Sequence, residues 1–202
     1  MLDKTLRPLI DPPLNAMAQG LARSGLKANQ VTLTGLVIGL GSVLAIALGQ
    51  NELALFLLLL NRLADGLDGA LARIKGPTQF GGYLDIVSDF ALWALLPLGF
   101  ALLDPGNALA AAVLLASFIA TSSTFLAYAI LAAKLGEETQ ARGKKSFFHL
   151  GGLTEGTETI AFFVIVLLWP EAFAIAAFIF AAMAGFTAVT RVLETLRVYG
   201  SR

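Results

Sequence analysis

Six apolar segments separated by short polar stretches dominate this chain of 202 residues. Hydrocarbon offers a backbone no hydrogen-bond partner, and none of the segments alternates as a barrel strand does, so each must be helical. One bilayer crossing needs about 20 apolar residues, and 57% of the chain is hydrophobic. We therefore predict an all-α, polytopic membrane protein with six transmembrane helices. The segments are 31–49, 53–73, 80–103, 108–133, 157–169 and 172–193.

The two ends of the chain are more polar than its middle. The first 30 residues lack a long apolar run, so no signal peptide is expected. Within them, residues 14–24 have the spacing of a short amphipathic helix at the membrane surface. We predict one membrane-embedded domain over 1–202, made of an interfacial segment at 1–30, a six-helix bundle at 31–193 and a tail at 194–202.

All basic residues fall on one side of this predicted bundle. The turns at 49–51, 104–107 and 169–171, on the other side, contain none. The positive-inside rule therefore places both termini on the cytoplasmic side of an inner membrane. Acidic and basic residues number 14 each, so net charge gives no reason to expect a nucleic-acid partner. The basic residues are Lys4, Arg7, Arg23, Lys27, Arg62, Arg73, Lys75, Lys134, Arg142, Lys144, Lys145, Arg191, Arg197 and Arg202.

Four carboxylates interrupt the second and third apolar segments. Ionisable groups at membrane depth cost roughly 2.5–3.5 kcal/mol each on insertion scales, and they usually mark function. At about 100° per residue, each pair of acids falls on one helix face. A short connection joins the two helices, so we predict antiparallel neighbours whose acids meet near the cytoplasmic ends. The four acids are Asp65, Asp68, Asp85 and Asp89.

Converging carboxylates need positive charge between them. Oxygen ligands favour Mg²⁺, Mn²⁺ or Ca²⁺ over Zn²⁺, and the chain has no cysteine and one histidine. Two ions about 3.5–4 Å apart would make a phosphoryl-transfer site. Two alternatives are that the acids only pair with Arg62, Arg73 and Lys75, or that they belong to an ion-coupled transporter. Three basic side chains do not balance four acids, and no broken helix or repeated half is visible, so we favour the metal site.

The acids belong to a longer pattern, D-x-x-D-G-x-x-A-R followed by G-x-x-x-D-x-x-x-D. This pattern resembles the signature of the CDP-alcohol phosphotransferase family, also called CDP-alcohol phosphatidyltransferases, and the chain looks like a bacterial inner-membrane branch of unassigned acceptor. Seven residues separate Arg73 from Gly81, and the family's spacer is usually at least one residue longer. We take Gly81 rather than Gly82 as the second glycine because this choice preserves the spacing of the acids.

The resemblance implies a reaction of phospholipid biosynthesis at the lipid bilayer. A phosphatidyl group would move from CDP-diacylglycerol to a small alcohol, CMP would be released, and the enzyme would be a homodimer. Asp89 would deprotonate the acceptor. A CDP-alcohol that reacts with diacylglycerol shares the signature and stays an alternative. Two divalent cations, Mg²⁺ or Mn²⁺, would be held by Asp65, Asp68, Asp85 and Asp89. The nucleotide would be bound by Gly69, Ala72, Arg73 and Gly81.

Two further acids, Glu155 and Glu158, stand three residues apart where the fifth apolar segment begins, so they share one helix face. They either compensate the positive end of the helix dipole or line a pocket for the acceptor. In the second case the acceptor would be a polyol or a cationic alcohol, because two carboxylates would repel a phosphorylated one.

Overall fold

The computed structural model describes residues 3–134 and 152–200, which form α-helices joined by short connections and 3₁₀ turns, with no strand in those ranges. Each of the six apolar segments lies almost wholly within one helix, which confirms the all-α class. The helices are α1 (Asp3–Arg23), α2 (Ala28–Ala47), α3 (Asn51–Lys75), α4 (Gln79–Leu103), α5 (Ala108–Lys134), α6 (Gly156–Leu168) and α7 (Phe173–Tyr199).

Four helical stretches among the described residues are long and apolar enough to cross a bilayer. The helix α3 has the length, but its second half carries Asp65, Asp68 and the arginine of the signature, together with Arg62. The helix α6 has 13 residues, which reach only ~20 Å at ~1.5 Å per residue, short of a ~30 Å hydrocarbon core. The four candidate spans are Ala28–Ala47, Gln79–Leu103, Pro105–Lys134 and Pro170–Tyr199.

The N-terminal helix differs from the short surface helix expected at 14–24. It begins at Asp3, and part of its apolar face packs on α3 inside the chain. Leu14 and Ala18 are buried there. A Cβ at Gly66 of α3 would stand 2.8 Å from Leu14 Cδ1, so the Leu14 side chain packs directly on this glycine. The helix α1 therefore packs against the part of α3 that carries the signature.

The apolar core joins the first half of α3 to the second half of α4 and to α6 and α7. The name apolar core refers here to the buried side chains Leu58, Leu96, Phe100, Phe163 and Phe173 and to the side chains packed around them. The rings of Phe100 and Phe173 stack with their centroids 4.1 Å apart. Because these contacts come from helices distant in sequence, the core fixes how α3 and α4 lie relative to the rest of the bundle.

Two glycines let α2 approach α3 and α4 closely. Asn61 Nδ2 donates a hydrogen bond of 2.8 Å to the carbonyl of Gly35. A Cβ at Gly39 would stand 2.8 Å from Leu92 Cδ2 and 3.1 Å from Asn61 Nδ2. The Gly35 and Gly39 pair therefore serves packing within one chain. Near the C-terminus, α7 continues to Tyr199, so most of the tail predicted at 194–202 is helical.

Candidate metal centre

The acids of α3 and α4 meet across a gap that α2 creates. The helix α2 packs against both α3 and α4, whose own backbones come close in few places. This corrects the expectation that α3 and α4 are direct neighbours. The two helices run antiparallel, because the start of α3 shares the apolar core with the end of α4, while the acids lie at the opposite ends. The side chains of the acids project into the space between the two helices.

Three of the four predicted acids form a tight group. One carboxylate oxygen from each of Asp65, Asp68 and Asp85 can be chosen so that all lie within 4.8 Å of one another. Asp68 is only 4% exposed, and its Oδ2 has no hydrogen-bond partner among the described residues. A buried carboxylate oxygen without a partner is costly. Oxygen ligands at this spacing fit a hard divalent cation, which would satisfy that oxygen.

The fourth acid, Asp89, is held by an arginine. Arg62 Nη2 donates to Asp89 Oδ1 at 2.9 Å, and Arg62 Nη1 lies 3.7 Å from Asp65 Oδ2. Asp89 therefore stands beside the group of three rather than inside it. The expectation that Asp89 both contacts metal and takes the proton of the acceptor stays a prediction.

The other two basic residues near the signature bond elsewhere. Arg73 Nη2 reaches Asn15 Oδ1 of α1 at 3.5 Å, and Lys75 Nζ donates to the carbonyl of Leu26 at 2.6 Å. The alternative in which the acids exist only to pair with nearby basic side chains thus applies to Arg62 alone. One arginine does not balance four acids, so the cavity still needs positive charge.

A cavity between α2, α3 and α4 contains all four acids in its lining. It also contains residues to which the sequence assigned no role in the site. Asn61 is a lone amide after a run of leucines, a signal that could have identified it. Ser88 is buried, and its Oγ has no partner in the part of the chain described. The lining residues are Thr32, Gly35, Leu36, Asn61, Arg62, Asp65, Asp68, Asp85, Ser88 and Asp89.

The residues expected to bind the nucleotide, Gly69, Ala72, Arg73 and Gly81, lie outside the lining of that cavity in the described chain. They occupy the end of α3 and the start of α4, beyond the acids. Arg73 is exposed. A Cβ on Gly69 would meet only Arg73 Nη1, at 3.6 Å, so this face of α3 is open.

The two glycines in the first turn of α4, Gly81 and Gly82, have different surroundings. A Cβ at Gly81 would stand 2.8 Å from Thr78 Oγ1 and 3.0 Å from Asn29 Oδ1. Thr78 caps α4 and accepts the N–H of Gly81 at 2.9 Å. A Cβ at Gly82 would meet nothing within 4 Å. The close approach of Asn29 and Thr78 thus requires a glycine at 81 and not at 82.

The acids Glu155 and Glu158 form a capping box at the start of α6. The backbone N–H of Glu155 donates to Glu158 Oε2 at 3.2 Å, and the Glu155 side chain accepts from the backbone of Glu158. Glu155 also interacts electrostatically with Arg191 of α7. Neither acid lines the cavity of the described residues. This geometry gives both acids a role in helix capping, as the dipole interpretation expects. The basic cluster of Arg142, Lys144 and Lys145 lies outside the described residues.

Comparisons with known proteins agree with this fold and signature. Residues 26–190 match the family model for CDP-alcohol phosphatidyltransferases. The inner membrane protein YnjF of Escherichia coli strain K12 is 49% identical over 193 residues, covering 95% of this chain and 94% of that protein. The archaetidylinositol phosphate synthase of Pyrococcus horikoshii is 38% identical over 103 residues, covering 50% of this chain and 54% of that enzyme.

Solved structures show the same fold. The phosphatidylinositol phosphate synthase of Mycobacterium tuberculosis with CDP-DAG bound has a TM-score of 0.69 and 24% identity, covering 91% of this chain and 93% of that one. The same enzyme in complex with manganese and citrate has a TM-score of 0.67. The family model covers most of the chain and the Escherichia coli relative covers nearly all of it, so this protein belongs to the CDP-alcohol phosphatidyltransferase family.

Proposed function

We propose that this protein transfers a phosphatidyl group from CDP-diacylglycerol to a small alcohol and releases CMP, as a step of phospholipid biosynthesis. The observation that carries the proposal is the group formed by Asp65, Asp68 and Asp85, whose oxygens lie within 4.8 Å of one another at signature positions. The partnerless Oδ2 of Asp68 adds to it. A neighbour of the same fold has CDP-DAG bound, which supports this choice of donor.

In this proposal, Asp65, Asp68, Asp85 and Asp89 hold two divalent cations, Mg²⁺ or Mn²⁺. When bound, such ions stabilise negative charge on a reacting phosphate and on its leaving group. The neighbour in complex with manganese supports the choice of metal. The four carboxylates carry more negative charge than Arg62 can balance, which is why the chain alone does not complete the site.

Asp89 would accept the proton of the acceptor hydroxyl. The acceptor oxygen then forms a bond to the phosphorus of the phosphatidyl group, and the bond from that phosphorus to the CMP oxygen breaks. A general base must lie within hydrogen-bond reach of the proton that it takes. Asp89 lines the cavity, and the contact with Arg62 involves its Oδ1, so this carboxylate is suited to the task.

The nucleotide would lie against the exposed end of α3 and the start of α4, in contact with Gly69, Ala72, Arg73 and Gly81. The open face at Gly69 and the exposed guanidinium of Arg73 support this placement. A planar guanidinium suits a phosphate, because it offers two parallel N–H donors.

We also propose six crossings, with α3 and α6 added to the four candidate spans, in an inner membrane with both termini and the acid cavity on the cytoplasmic side. The basic residues and the inner-membrane relative support this topology. Because the chain has no cysteine, single cysteines can report it. Asn107→Cys should react with an impermeant maleimide in cells whose outer membrane alone is permeable. Ser24→Cys should react only after the inner membrane is broken, and the opposite result would invert the topology.

The family resemblance further suggests a homodimer. Light scattering of the protein in detergent measures its mass, and a mass equal to one chain of 21.2 kDa would contradict this part of the proposal.

The acceptor would be an unphosphorylated polyol or a cationic alcohol if Glu155 and Glu158 contribute to its pocket. Glutamine at position 158 keeps the capping contact, because a glutamine can serve in a capping box. Glu158→Gln should therefore fold as well as the parent protein. An unchanged acceptor KM in this variant and in Glu155→Gln would leave the two acids with the capping role alone.

The decisive experiment measures CMP release and the lipid product by mass spectrometry. Purified protein receives CDP-diacylglycerol, Mg²⁺ or Mn²⁺ and a panel of alcohols. Metal-dependent CMP with a new phosphodiester lipid is expected, and Asp89→Asn should abolish it. Asp104→Asn, in an exposed turn far along the chain from the signature, is the matched control and should retain turnover. Product only from a CDP-alcohol and diacylglycerol would reverse the direction of assembly, and ion flux without CMP would favour a transporter.

A further inference from the structure

The side chain of Ser88 on α4 is a buried hydroxyl that the proposed reaction does not use. Ser88 is 8% exposed and lines the cavity that contains the four acids. Its Oγ has no hydrogen-bond partner in the described parts of the chain. A buried hydroxyl without a partner costs free energy, whereas an alanine in the same place would not. A serine here therefore indicates a ligand for its Oγ inside the cavity.

The backbone of α4 does not account for this hydroxyl. A serine inside a helix can donate to the carbonyl three or four residues earlier. Ser117 of α5, which is also 8% exposed, does so, because its Oγ donates to the carbonyl of Leu114 at 2.7 Å. Ser88 makes no such bond to Leu84 or Asp85. Two serines of equal burial thus differ in that only one is satisfied by its own helix.

The neighbouring amide in the cavity, Asn61, already uses both of its polar groups. Its Nδ2 donates to the carbonyl of Gly35 at 2.8 Å, and its Oδ1 accepts from Arg62 Nε at 2.7 Å. By contrast, Asp68 Oδ2 shares with Ser88 Oγ the lack of a partner among the described residues. These two oxygens come from different helices and line one cavity. A single ligand bound between them would satisfy both.

Ser88 lies on the face of α4 that turns toward both the acids and α2. It follows Asp85 by three residues, and positions three or four apart share one helix face. Leu92, four residues after Ser88, packs against Gly39 of α2, where an added Cβ would stand 2.8 Å from Leu92 Cδ2. Along α4, Ser88 therefore lies between the acid Asp85 and the contact with α2.

We propose that Ser88 Oγ is a neutral oxygen ligand of a divalent cation held by Asp65, Asp68 and Asp85. Mg²⁺ prefers near-octahedral coordination by oxygen atoms. A hydroxyl supplies one oxygen without adding negative charge to a cavity that already has four carboxylates. A serine or threonine hydroxyl binds Mg²⁺ in the P-loop in the same way. The inference rests on the cation site of the proposed function, but it needs no donor, acceptor or turnover.

The first test compares Ser88→Ala with Ser117→Ala, which removes an equally buried hydroxyl outside the lining of the described cavity. Electron paramagnetic resonance measures the Kd for Mn²⁺ with protein in nanodiscs. Ser88→Ala should raise this Kd about tenfold, the lower end of the range for removing a residue that supports a metal site. Ser117→Ala should keep the parental Kd. An unchanged Kd in Ser88→Ala would overturn the proposal.

Thermal unfolding of the metal-free protein separates this role from a structural one. Without a cation, Ser88→Ala should melt at or above the temperature of the parent protein, because the variant loses a hydroxyl that has no partner. With Mn²⁺ the parent protein should gain more stability than the variant. A structural hydroxyl would give the opposite sign, and a lower melting temperature of metal-free Ser88→Ala would overturn the proposal.

The second test replaces the hydroxyl by a thiol. The chain has no cysteine, so Ser88→Cys introduces a single thiol, and thiolates select soft ions such as Cd²⁺ over Mn²⁺. The variant should favour Cd²⁺ over Mn²⁺ by about tenfold or more relative to the parent protein. It should also show the ultraviolet charge-transfer band of a thiolate bound to Cd²⁺. Ser117→Cys should show neither effect with one Cd²⁺ per chain. Cd²⁺ bound to Ser88→Cys without this band would overturn the proposal.

These experiments distinguish a failure of the inference from a failure of the proposed function. A parent protein that binds Mn²⁺ but makes no CMP would contradict the proposed function and leave the results on Ser88 valid. A parental Kd for Mn²⁺ in Ser88→Ala, in a protein that does release CMP, would overturn the inference alone. If Asp68→Asn bound Mn²⁺ as tightly as the parent protein, both the proposed cation site and the role of Ser88 would be wrong.

Discussion

The helices α3 and α4 pass through two regions that are built in opposite ways. In the apolar core, Leu58 of α3 and Phe100 of α4 are completely buried and packed by other side chains of the same molecule. In the acid cavity, Asp68 and Ser88 are also buried, but each has a side-chain oxygen without a partner among the described residues. One end of this helix pair is therefore packed entirely by apolar side chains, while the other end has buried polar atoms that a bound ligand would satisfy.

The difference has an energetic consequence. Contacts between apolar side chains stabilise the bundle by close packing, since lipid is as apolar as the core. Buried acids cost free energy until a cation or a proton neutralises them. Substitutions in the apolar core should therefore change stability and leave the response to cations intact, and substitutions in the acid cavity should do the reverse.

The largest effect is expected from Asp68→Asn. This variant removes one of the three clustered carboxylates and should lower turnover by more than ~100-fold, because loss of a ligand exceeds the 10- to 100-fold cost of losing its partner. Mn²⁺ at about 100 times its Kd should stabilise the parent protein by about 2.7 kcal/mol, and the variant should lose that gain. Thermal unfolding in detergent with and without Mn²⁺ measures it. A variant that still gains stability from Mn²⁺ would place the cation elsewhere.

The second-largest effect is expected from Phe100→Ala in the apolar core. Removing this ring ends its stacking with Phe173 at 4.1 Å and should cost up to about 3–5 kcal/mol of the free energy of unfolding. Below its melting temperature, the variant should keep the gain in stability from Mn²⁺ and most of its turnover. Unfolding by heat or denaturant in one detergent measures both quantities. If the Mn²⁺ response fell with the stability, the two regions would form one cooperative unit.

The helices and the placement of the acids on them could be predicted from the sequence more reliably than the contacts between helices. The all-α class and the positions of the helices followed from segment length and from the need to pair backbone groups in hydrocarbon. The placement of Asp65 and Asp68 on one face of α3, and of Asp85 and Asp89 on one face of α4, followed from helical spacing, which brings positions three or four apart onto one face. Both inferences depend only on residues that are close in sequence, so contacts with the rest of the chain do not change them.

Contacts between distant segments could not be predicted in this way. The insertion of α2 between α3 and α4 depends on Gly35 and Gly39, whose pattern is common in membrane helices and names no partner. The pairing of Arg62 with Asp89 joins residues 27 positions apart, and it depends on that insertion. The length of α1 and the packing of Leu14 on Gly66 could not be predicted either. An amphipathic pattern does not show whether the apolar face of a helix contacts lipid or another helix.

A smaller effect is expected from Gly39→Ala, which tests the link between the two regions. The new Cβ would stand 2.8 Å from Leu92 Cδ2 and 3.1 Å from Asn61 Nδ2. Overpacking of this kind should cost about 1–3 kcal/mol and should lower turnover modestly, because Asn61 holds Arg62. The control is Gly185→Ala, where a Cβ meets nothing within 4 Å and better helix propensity should give up to ~1 kcal/mol. Equal stability of the two variants would contradict the close packing of α2.

The smallest effect is expected at the edge of the acid cavity, from the neighbouring glycines of α4. In Gly81→Ala the added Cβ would meet Thr78 Oγ1 at 2.8 Å and Asn29 Oδ1 at 3.0 Å. Thr78 must then loosen its cap, at a cost of about 1 kcal/mol, and the KM for CDP-diacylglycerol should rise. Gly82→Ala has open space and should keep both the stability and the KM of the parent protein. A raised KM in Gly82→Ala with a parental value in Gly81→Ala would instead assign the second glycine of the signature to position 82.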